Sequence, residues 1–219
     1  MIELKTISDS KKEFHQCFPY VIAPIYRRIT DELLVELHLL KHQKEFKLTN
    51  VFSVGLTTVF QDFMKGYRPE EHKKMLFDAL CKSNSIDSNE MRRNAERTQK
   101  DFSNIELEEI DAFFDNKETS QNELLRKGFE NFKKTDAPYS RLSVIGLYTL
   151  LKGLKSSPED NQLKEKLKSI TESIGFNIPR VERDLASYQN NIGKMKQALD
   201  LMKESIEREN KKKKERESL

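Results

Sequence analysis

The stretch that decides the fold class is Val51–Lys65, which reads VFSVGLTTVFQDFMK. Its many β-branched and aromatic residues are typical of a strand when they are considered one by one. The larger apolar residues, however, recur at spacings of 4, 3 and 4, which puts them on one face of an α-helix. They are Phe52, Leu56, Val59 and Phe63. Thr49 or Asn50 can cap this helix, and Gly66 suits its C-terminal end, so we predict a helix here.

The segments on both sides of this stretch have the same helical period. Pro24–His42 has apolar residues at spacings of 4, 4, 4 and 3, which again form one helical stripe. Further helices are predicted from the cap cluster Ser8–Ser10 to Cys17, from Pro69 at the first helical position through Leu80, from Asp87 or Ser88 to Phe102, over Leu107–Phe114, Glu123–Phe132 and Tyr139–Leu154, and from Ser157–Glu159 to Ile174. Polar breaks are predicted at Asn116–Asn122 and Asp136–Pro138.

The composition favours the same fold class. The chain has 24 Leu against 7 Val, and Leu loses less rotamer freedom in a helix than β-branched Val does. Seven glycines among 219 residues are too few for a glycine-rich β-meander or for a loop architecture that cradles phosphates. We therefore expect an all-α protein, with a compact multi-helix domain over residues 1–178 and a long, coiled-coil-like helix over residues 179–219.

The C-terminal segment has a heptad pattern of apolar residues. Their spacings alternate between 4 and 3 over 26 residues, which is the register of a coiled coil. The stripe consists of Val181, Leu185, Tyr188, Ile192, Met195, Leu199, Met202 and Ile206. In a parallel homodimer, no residue at a heptad g position would face an oppositely charged residue at an e position of the other helix. Gly193 also weakens the helix interior, so we expect a monomer. In a monomer, we expect the stripe to pack partly on the chain's own helices and to project its C-terminal half, which could then meet a partner.

The net charge of +3 originates in the C-terminal run Arg208–Arg216, which reads RENKKKKER and carries six basic and two acidic residues. Without this run, the chain has 33 basic and 34 acidic residues. Lys211, Lys212, Lys213 and Lys214 are candidates for contact with an anionic lipid surface or with nucleic-acid phosphates. A solvated helix end is the other interpretation. No aromatic residue alternates with the lysines, and we do not expect a nucleic-acid partner.

Catalytic signals are weak. His38 and His42 lie four residues apart, a spacing that can bind a metal, but no glutamate between them completes a metalloprotease motif. The sequence contains no nucleophile elbow, phosphate-binding loop or dinucleotide-binding glycine pattern. Cys17 and Cys81 are expected to be free thiols. We therefore expect no enzyme activity, cofactor or metal, with a metal-dependent enzyme using the two histidines as a rival hypothesis. No membrane span or signal peptide is apparent either.

Three strings carry a family resemblance. The first is IYRRITDELLVELHLL (Ile25–Leu40), the second is FSVGLTTVFQDFMKGYRPEEHKKMLFDALC (Phe52–Cys81), and the third is PYSRLSVIGLYTLLKGL (Pro138–Leu154). Together they resemble the thylakoid formation protein family of cyanobacteria and chloroplasts, also described as a photosystem II biogenesis factor. A C-terminal coiled coil completes the resemblance, which spans most of the chain.

The resemblance implies an all-helical, non-catalytic interaction protein that supports photosystem II assembly and repair. It implies association with the membrane-bound AAA protease of FtsH type and a peripheral location at the cytoplasmic face of the thylakoid membrane. The matching region starts near Ser8, so we expect a cyanobacterial-type or mature protein without a transit peptide. A helical protein that binds anionic lipid or nucleic acid through its basic end is the alternative.

Charged and tyrosine residues within the matching strings are the candidates for partner binding. They are Arg27, Arg28, Asp31, Glu32, Glu36, Tyr67, Arg68 and Arg141. The same residues could instead fasten one helix to another, through arginine–carboxylate pairs and tyrosine hydroxyl groups. The sequence alone leaves both interpretations open.

Overall fold

The computed structural model describes residues 5–114, 122–129, 132, 138–156 and 159–217, with only the backbone of residues 212–217. Over these residues it contains ten α-helices and no β-strand, which confirms the predicted all-α fold class. The helices are α1 (Ile7–Cys17), α2 (Pro24–Lys41), α3 (Asn50–Phe63), α4 (Glu70–Lys82), α5 (Ser88–Phe102), α6 (Leu107–Phe114), α7 (Glu123–Gly128), α8 (Arg141–Lys152), α9 (Asp160–Ser173) and α10 (Ile178–Glu217).

The ambiguous stretch is a helix, as predicted. The Thr49 side chain accepts a hydrogen bond from the Phe52 backbone N–H at 3.1 Å, which caps α3. Apolar side chains are buried around nearly the whole circumference of α3, including Val54 and Val59. A helix that is buried on all sides needs no polar face, and this is why its composition resembles that of a strand.

Helix α3 packs most closely against α8, and two glycines permit this approach. A Cβ atom at Gly55 would overlap the carbonyl oxygen of Leu142, and one at Gly146 would overlap the carbonyl oxygen of Val51. Each helix therefore presents a bare backbone surface to the other. The predicted buried helix over the third resemblance string is confirmed as α8, whose Leu147 and Leu151 are fully buried.

Three predicted helix boundaries are wrong. Helix α1 is capped by Thr6, not by the cluster at Ser8–Ser10, because Thr6 and Asp9 exchange side-chain and backbone hydrogen bonds in a capping box. Pro69 is the N-cap of α4 and lies just outside the first helical position, with an extended backbone. The helix predicted to reach Phe132 ends at Gly128, where the Phe129 ring turns to stack on Phe113 at a centroid distance of 5.5 Å.

The other boundaries agree with the sequence to within a few residues. Asp87 caps α5, and α6 has the predicted ends. The predicted break at Asn116–Asn122 lies outside the described residues except for Asn122, which caps α7. The break at Asp136–Pro138 likewise lies outside them, apart from its last residue.

The helices form two units, Met1–Leu185 and Ala186–Leu219. The first contains α1–α9 and the first turns of α10, where Val181 and Leu185 of the heptad stripe are buried. The second continues α10, and its Met202 and Ile206 side chains are 47% and 55% exposed. The predicted domain division at residues 178 and 179 stays a prediction. Among the described residues, no helix combines the length and apolarity needed to cross a lipid bilayer.

Candidate partner-binding site

One groove on the first unit brings several of the sequence-predicted candidates together. We call it the charged groove. It is open to solvent and has a volume of about 580 Å³. It is lined by Asp31, Glu32, Val35, Glu36, Leu39 and Leu40 of α2, by Gln43 just after that helix, by Tyr139, Ser140 and Arg141, and by Arg180 and Asp184 of α10. The lining residues of α2 recur every three to four positions, because they all lie on one face of that helix.

An ion pair between Glu36 and Arg141 closes the base of the charged groove. The Nε and Nη2 groups of Arg141 both donate to Oε2 of Glu36, each at 2.8 Å. The Glu36 side chain is only 18% exposed. This burial raises the pKa of the Glu36 carboxyl group, and the hydrogen-bonded guanidinium of Arg141 opposes the rise. The pair joins the start of α8 to α2, so its geometry is that of an internal fastening between helices.

A second cluster in the groove was not predicted from the sequence. The Tyr139 hydroxyl donates to Asp184 at 2.7 Å, and the Arg180 guanidinium carbon lies 4.0 Å from the centroid of the Tyr139 ring. Burial raises the pKa of the Tyr139 hydroxyl, and its hydrogen bond to a carboxylate raises it further. Arg180 and Asp184 are four residues apart on α10, a spacing that could have been noticed, but nothing in the sequence links them to Tyr139.

The outer rim of the charged groove on α2 faces solvent, and its Asp31 and Glu32 pair with two arginines that do not line the groove themselves. Arg28 pairs with Glu32 at 2.9 Å, and Arg27 lies 3.9 Å from Asp31. The side chains of Arg27, Arg28 and Asp31 are 67%, 88% and 51% exposed, so these pairs contribute little to stability. Leu39 lies further along the same helix and is 51% exposed. This rim is therefore accessible to another molecule, in contrast to the Glu36–Arg141 pair.

Tyr67 and Arg68 do not line the charged groove. Tyr67 is buried, with its ring edge-on to Tyr26 at a centroid distance of 4.9 Å, and burial raises the pKa of its hydroxyl group. Arg68 is exposed and lies 3.6 Å from Glu70. The two residues are adjacent in sequence, yet one belongs to the core and the other to the surface.

The two histidines of the rival metal hypothesis are neighbours in space. Their ring centroids are 4.2 Å apart. The Nδ1 atom of His38 lies 2.9 Å from the Ser10 hydroxyl, and the Nδ1 atom of His42 lies 2.7 Å from the His38 carbonyl oxygen. Both rings thus have a protein hydrogen-bond partner. Within the described part of the chain, no group of three or more His, Cys, Asp and Glu residues is arranged to hold a metal ion.

The family model of the thylakoid formation protein matches residues 6–217. Protein Thf1 of Prochlorococcus marinus (strain MIT 9313) is 42% identical over 221 residues, an alignment that covers 100% of this chain and 91% of that protein. Protein Thf1 of Synechococcus sp. (strain CC9902) is 43% identical, with 100% and 96% covered.

A solved structure of Psb29 has the same fold. It superposes with a TM-score of 0.83 at 33% sequence identity, and the match covers 95% of this chain and 98% of that one. The family model, the curated relatives and the solved structure agree over nearly the whole length. The resemblance carried by the three sequence strings is therefore confirmed, and the chain belongs to the thylakoid formation protein family.

Proposed function

We propose that this protein is a non-catalytic interaction factor for thylakoid membrane biogenesis, which supports photosystem II assembly and repair by binding other proteins. Membership of the thylakoid formation protein family carries the proposal. The similarity to Psb29 supports the connection with photosystem II. The partner that we propose is the membrane-bound AAA protease of FtsH type. Contact with it would hold the protein at the cytoplasmic face of the thylakoid membrane.

The charged groove is the surface that we propose for this contact. It combines the exposed apolar side chain of Leu39 with accessible charges at Asp31 and Glu32, while the Glu36–Arg141 pair fixes the position of its base. Apolar anchors surrounded by polar groups are typical of protein–protein interfaces. No catalytic step is needed for this role, because binding alone can stabilise or position a partner.

Affinity capture from photosynthetic membranes tests this proposal. A full-length variant with Asp31→Lys, Glu32→Lys and Leu39→Asp should recover much less of the FtsH-type protease than the unmodified protein. The rim pairs are exposed, so the variant should remain folded. The matched control is Glu90→Lys with Glu96→Lys on the exposed face of α5, which should leave recovery unchanged. Equal recovery by the groove variant, with its helical circular-dichroism spectrum intact, would reject the groove as the docking surface.

A second candidate function, binding to anionic lipid through the basic end, is favoured by one observation. Leu201, Met202 and Ile206 are exposed on the second unit, directly before the run that contains Lys211–Lys214. Apolar side chains beside a basic cluster are typical of helices that lie on an anionic membrane surface. Changing the four lysines to Gln should remove salt-sensitive binding to phosphatidylglycerol vesicles. Retained binding to the same vesicles would rule out the basic run as the contact.

A further inference from the structure

A second cavity lies between α3, α4 and α5 and shares no lining residue with the charged groove. Its volume is about 210 Å³, which is below the range of drug-sized pockets and suits a ligand of fragment size. Phe60 and Phe77 form its floor, and Glu70, Lys73, Lys74 and Arg92 stand around its rim. None of the candidate partner-binding residues lines it.

The floor of this cavity is apolar and rigid. The rings of Phe60 and Phe77 pack edge to face, with centroids 4.9 Å apart, and the two residues are only 4% and 3% exposed. Because they belong to α3 and α4, packing of these helices fixes the orientation of both rings. A flat aromatic or branched aliphatic group fits such a floor better than a flexible chain does.

The rim of the cavity has more positive than negative charge. Glu70 is shared between two cations: its carboxylate lies 3.5 Å from the Lys73 ammonium group and 3.6 Å from the Arg68 guanidinium. Lys74 is exposed and forms no ion pair with any residue that the structure describes. Asp78 pairs with Arg92, so two carboxylates face the four cations Arg68, Lys73, Lys74 and Arg92, and a bound anion would reduce the repulsion that remains.

Arg92 is held so that part of its guanidinium group stays available. Within the described part of the chain, Arg92 donates hydrogen bonds to Asp78, Ser88 and Asn89, and Nη2 is the donor in all three. The guanidinium carbon lies 5.1 Å from the centroid of the Phe77 ring, which restrains the plane of the group. Nη1 keeps N–H donors that none of these hydrogen bonds uses, so it can still donate a charge-assisted hydrogen bond to a carboxylate.

We propose that this cavity binds a small organic carboxylate that carries an aromatic or branched apolar group. The apolar group lies on Phe60 and Phe77, and the carboxylate lies between Arg92 and the two lysines, Lys73 and Lys74. This chemistry is offered either by a free small acid or by the C-terminal residue of a peptide. The site is separate from the charged groove, and the proposal does not depend on the function assigned above.

Titration of the full-length, isotope-labelled protein with N-acetylphenylalanine, followed by amide NMR shifts, tests the proposal. Saturable shifts should appear around Phe60 and around Lys73–Phe77, with a Kd on the order of 1 mM. N-acetylphenylalaninamide keeps the ring and lacks the charge, so it should bind at least about tenfold more weakly. Sodium acetate keeps the charge and lacks the ring, and should give no saturable shift. Equal binding of the acid and the amide, or no saturable shift with the acid, would overturn the proposal.

Two variants locate the bound carboxylate. Lys73→Ala with Lys74→Ala should weaken binding of N-acetylphenylalanine by about tenfold, since two charged contacts are removed. Lys100→Ala, an exposed lysine further along α5, should leave the Kd unchanged. An unchanged Kd in the double variant, or an equal loss in the Lys100 variant, would contradict the site.

A second titration separates the two sources of the ligand. A short peptide that ends in phenylalanine is compared with the same peptide bearing a C-terminal amide. If the free-carboxylate peptide binds as tightly as N-acetylphenylalanine, the cavity accepts chain ends. If it binds at least about tenfold more weakly while the small acid still saturates the site, the cavity accepts free acids. Binding of the amidated peptide as tight as that of the free one would contradict carboxylate recognition.

Discussion

Cys81 shows how strongly burial can change the chemistry of one residue. Its side chain is fully buried, and this burial raises the pKa of the thiol to about 12. The thiolate is the reactive form of cysteine, so the folded protein should contain very little reactive Cys81 near neutral pH. Cys17 is partly exposed and is not shielded in this way.

We therefore predict that iodoacetamide modifies the two cysteines at very different rates. In the folded protein near neutral pH, Cys17 should be alkylated first, and Cys81 at least about a hundredfold more slowly, because its thiolate fraction is so small. Mass spectrometry of the intact protein and of its peptides measures both rates. In denaturant the two rates should converge. Similar rates in the folded state would show that the α4 core opens readily.

His38 makes stability depend on pH. The residue is buried, and this burial, together with the neighbouring His42 ring, lowers the pKa of its imidazole. The unfolded chain then binds a proton at a pH where the folded protein does not. The free energy of unfolding should therefore fall as the pH drops through about 6.5, the unfolded value, and continue to fall until the lowered pKa of the folded state is reached.

A pair of variants isolates this effect. His38→Gln removes the titrating group, so its free energy of unfolding should change less between about pH 7.5 and 5.5 than that of the unmodified protein. Each unit of lowered pKa corresponds to about 1.4 kcal/mol. His15→Gln, on the exposed side of α1, is the control and should keep the pH dependence. Urea titrations at both pH values measure the difference, and a pH dependence that survives in His38→Gln would place its origin elsewhere.

At the scale of the element, the packing of α3 on α8 depends on two absent side chains. A methyl group at Gly55 or Gly146 would enter backbone atoms of the opposite helix, which cannot move aside as a flexible side chain can. Gly193 on α10 has open space around its Cβ direction. The same substitution should therefore have opposite effects at these positions.

We predict that Gly55→Ala lowers the free energy of unfolding by about 2 kcal/mol or more, because the two helices must separate. Gly146→Ala should behave alike. Gly193→Ala is the matched control, and it should increase helicity and stability by up to about 1 kcal/mol, since Ala is the better helix former. Urea denaturation and far-ultraviolet circular dichroism measure both effects. A neutral Gly55→Ala variant would mean that the helices do not approach as closely as described.

The helices were largely predictable from the sequence, whereas the contacts between them were not. The spacing of Phe52, Leu56, Val59 and Phe63 and the cap at Thr49 identify α3 because both signals are local. The partners in the charged groove are remote: Glu36 and Arg141 are 105 residues apart, and Tyr139 and Asp184 are 45 apart. Helical periodicity tells which face of a helix is buried, but not which other helix covers it. Tyr139, Arg180 and Asp184 could thus be located only in the folded chain.

At the scale of the whole molecule, the ion pairs in and beside the charged groove have two different roles. Glu36 and Arg141 hold α8 against α2 and are mostly shielded from solvent, whereas Arg28 and Glu32 form a pair on the surface. A shielded, doubly hydrogen-bonded pair is screened less by water and salt than an exposed pair is. The first pair should therefore stabilise the fold, and the second should be free to serve binding.

Double-mutant cycles distinguish these roles. We predict a coupling free energy on the order of 1 kcal/mol for Glu36→Gln with Arg141→Gln, and less than about 0.5 kcal/mol for Glu32→Gln with Arg28→Gln. The first coupling should persist in high salt, and the second should disappear. If the Arg28–Glu32 cycle instead shows the larger coupling, that pair fastens the fold.

Capture of the protease by the Glu32→Gln and Arg28→Gln variants then decides whether the rim is an interface. Weakened capture without loss of stability requires direct contact, because the surrounding helices are unchanged.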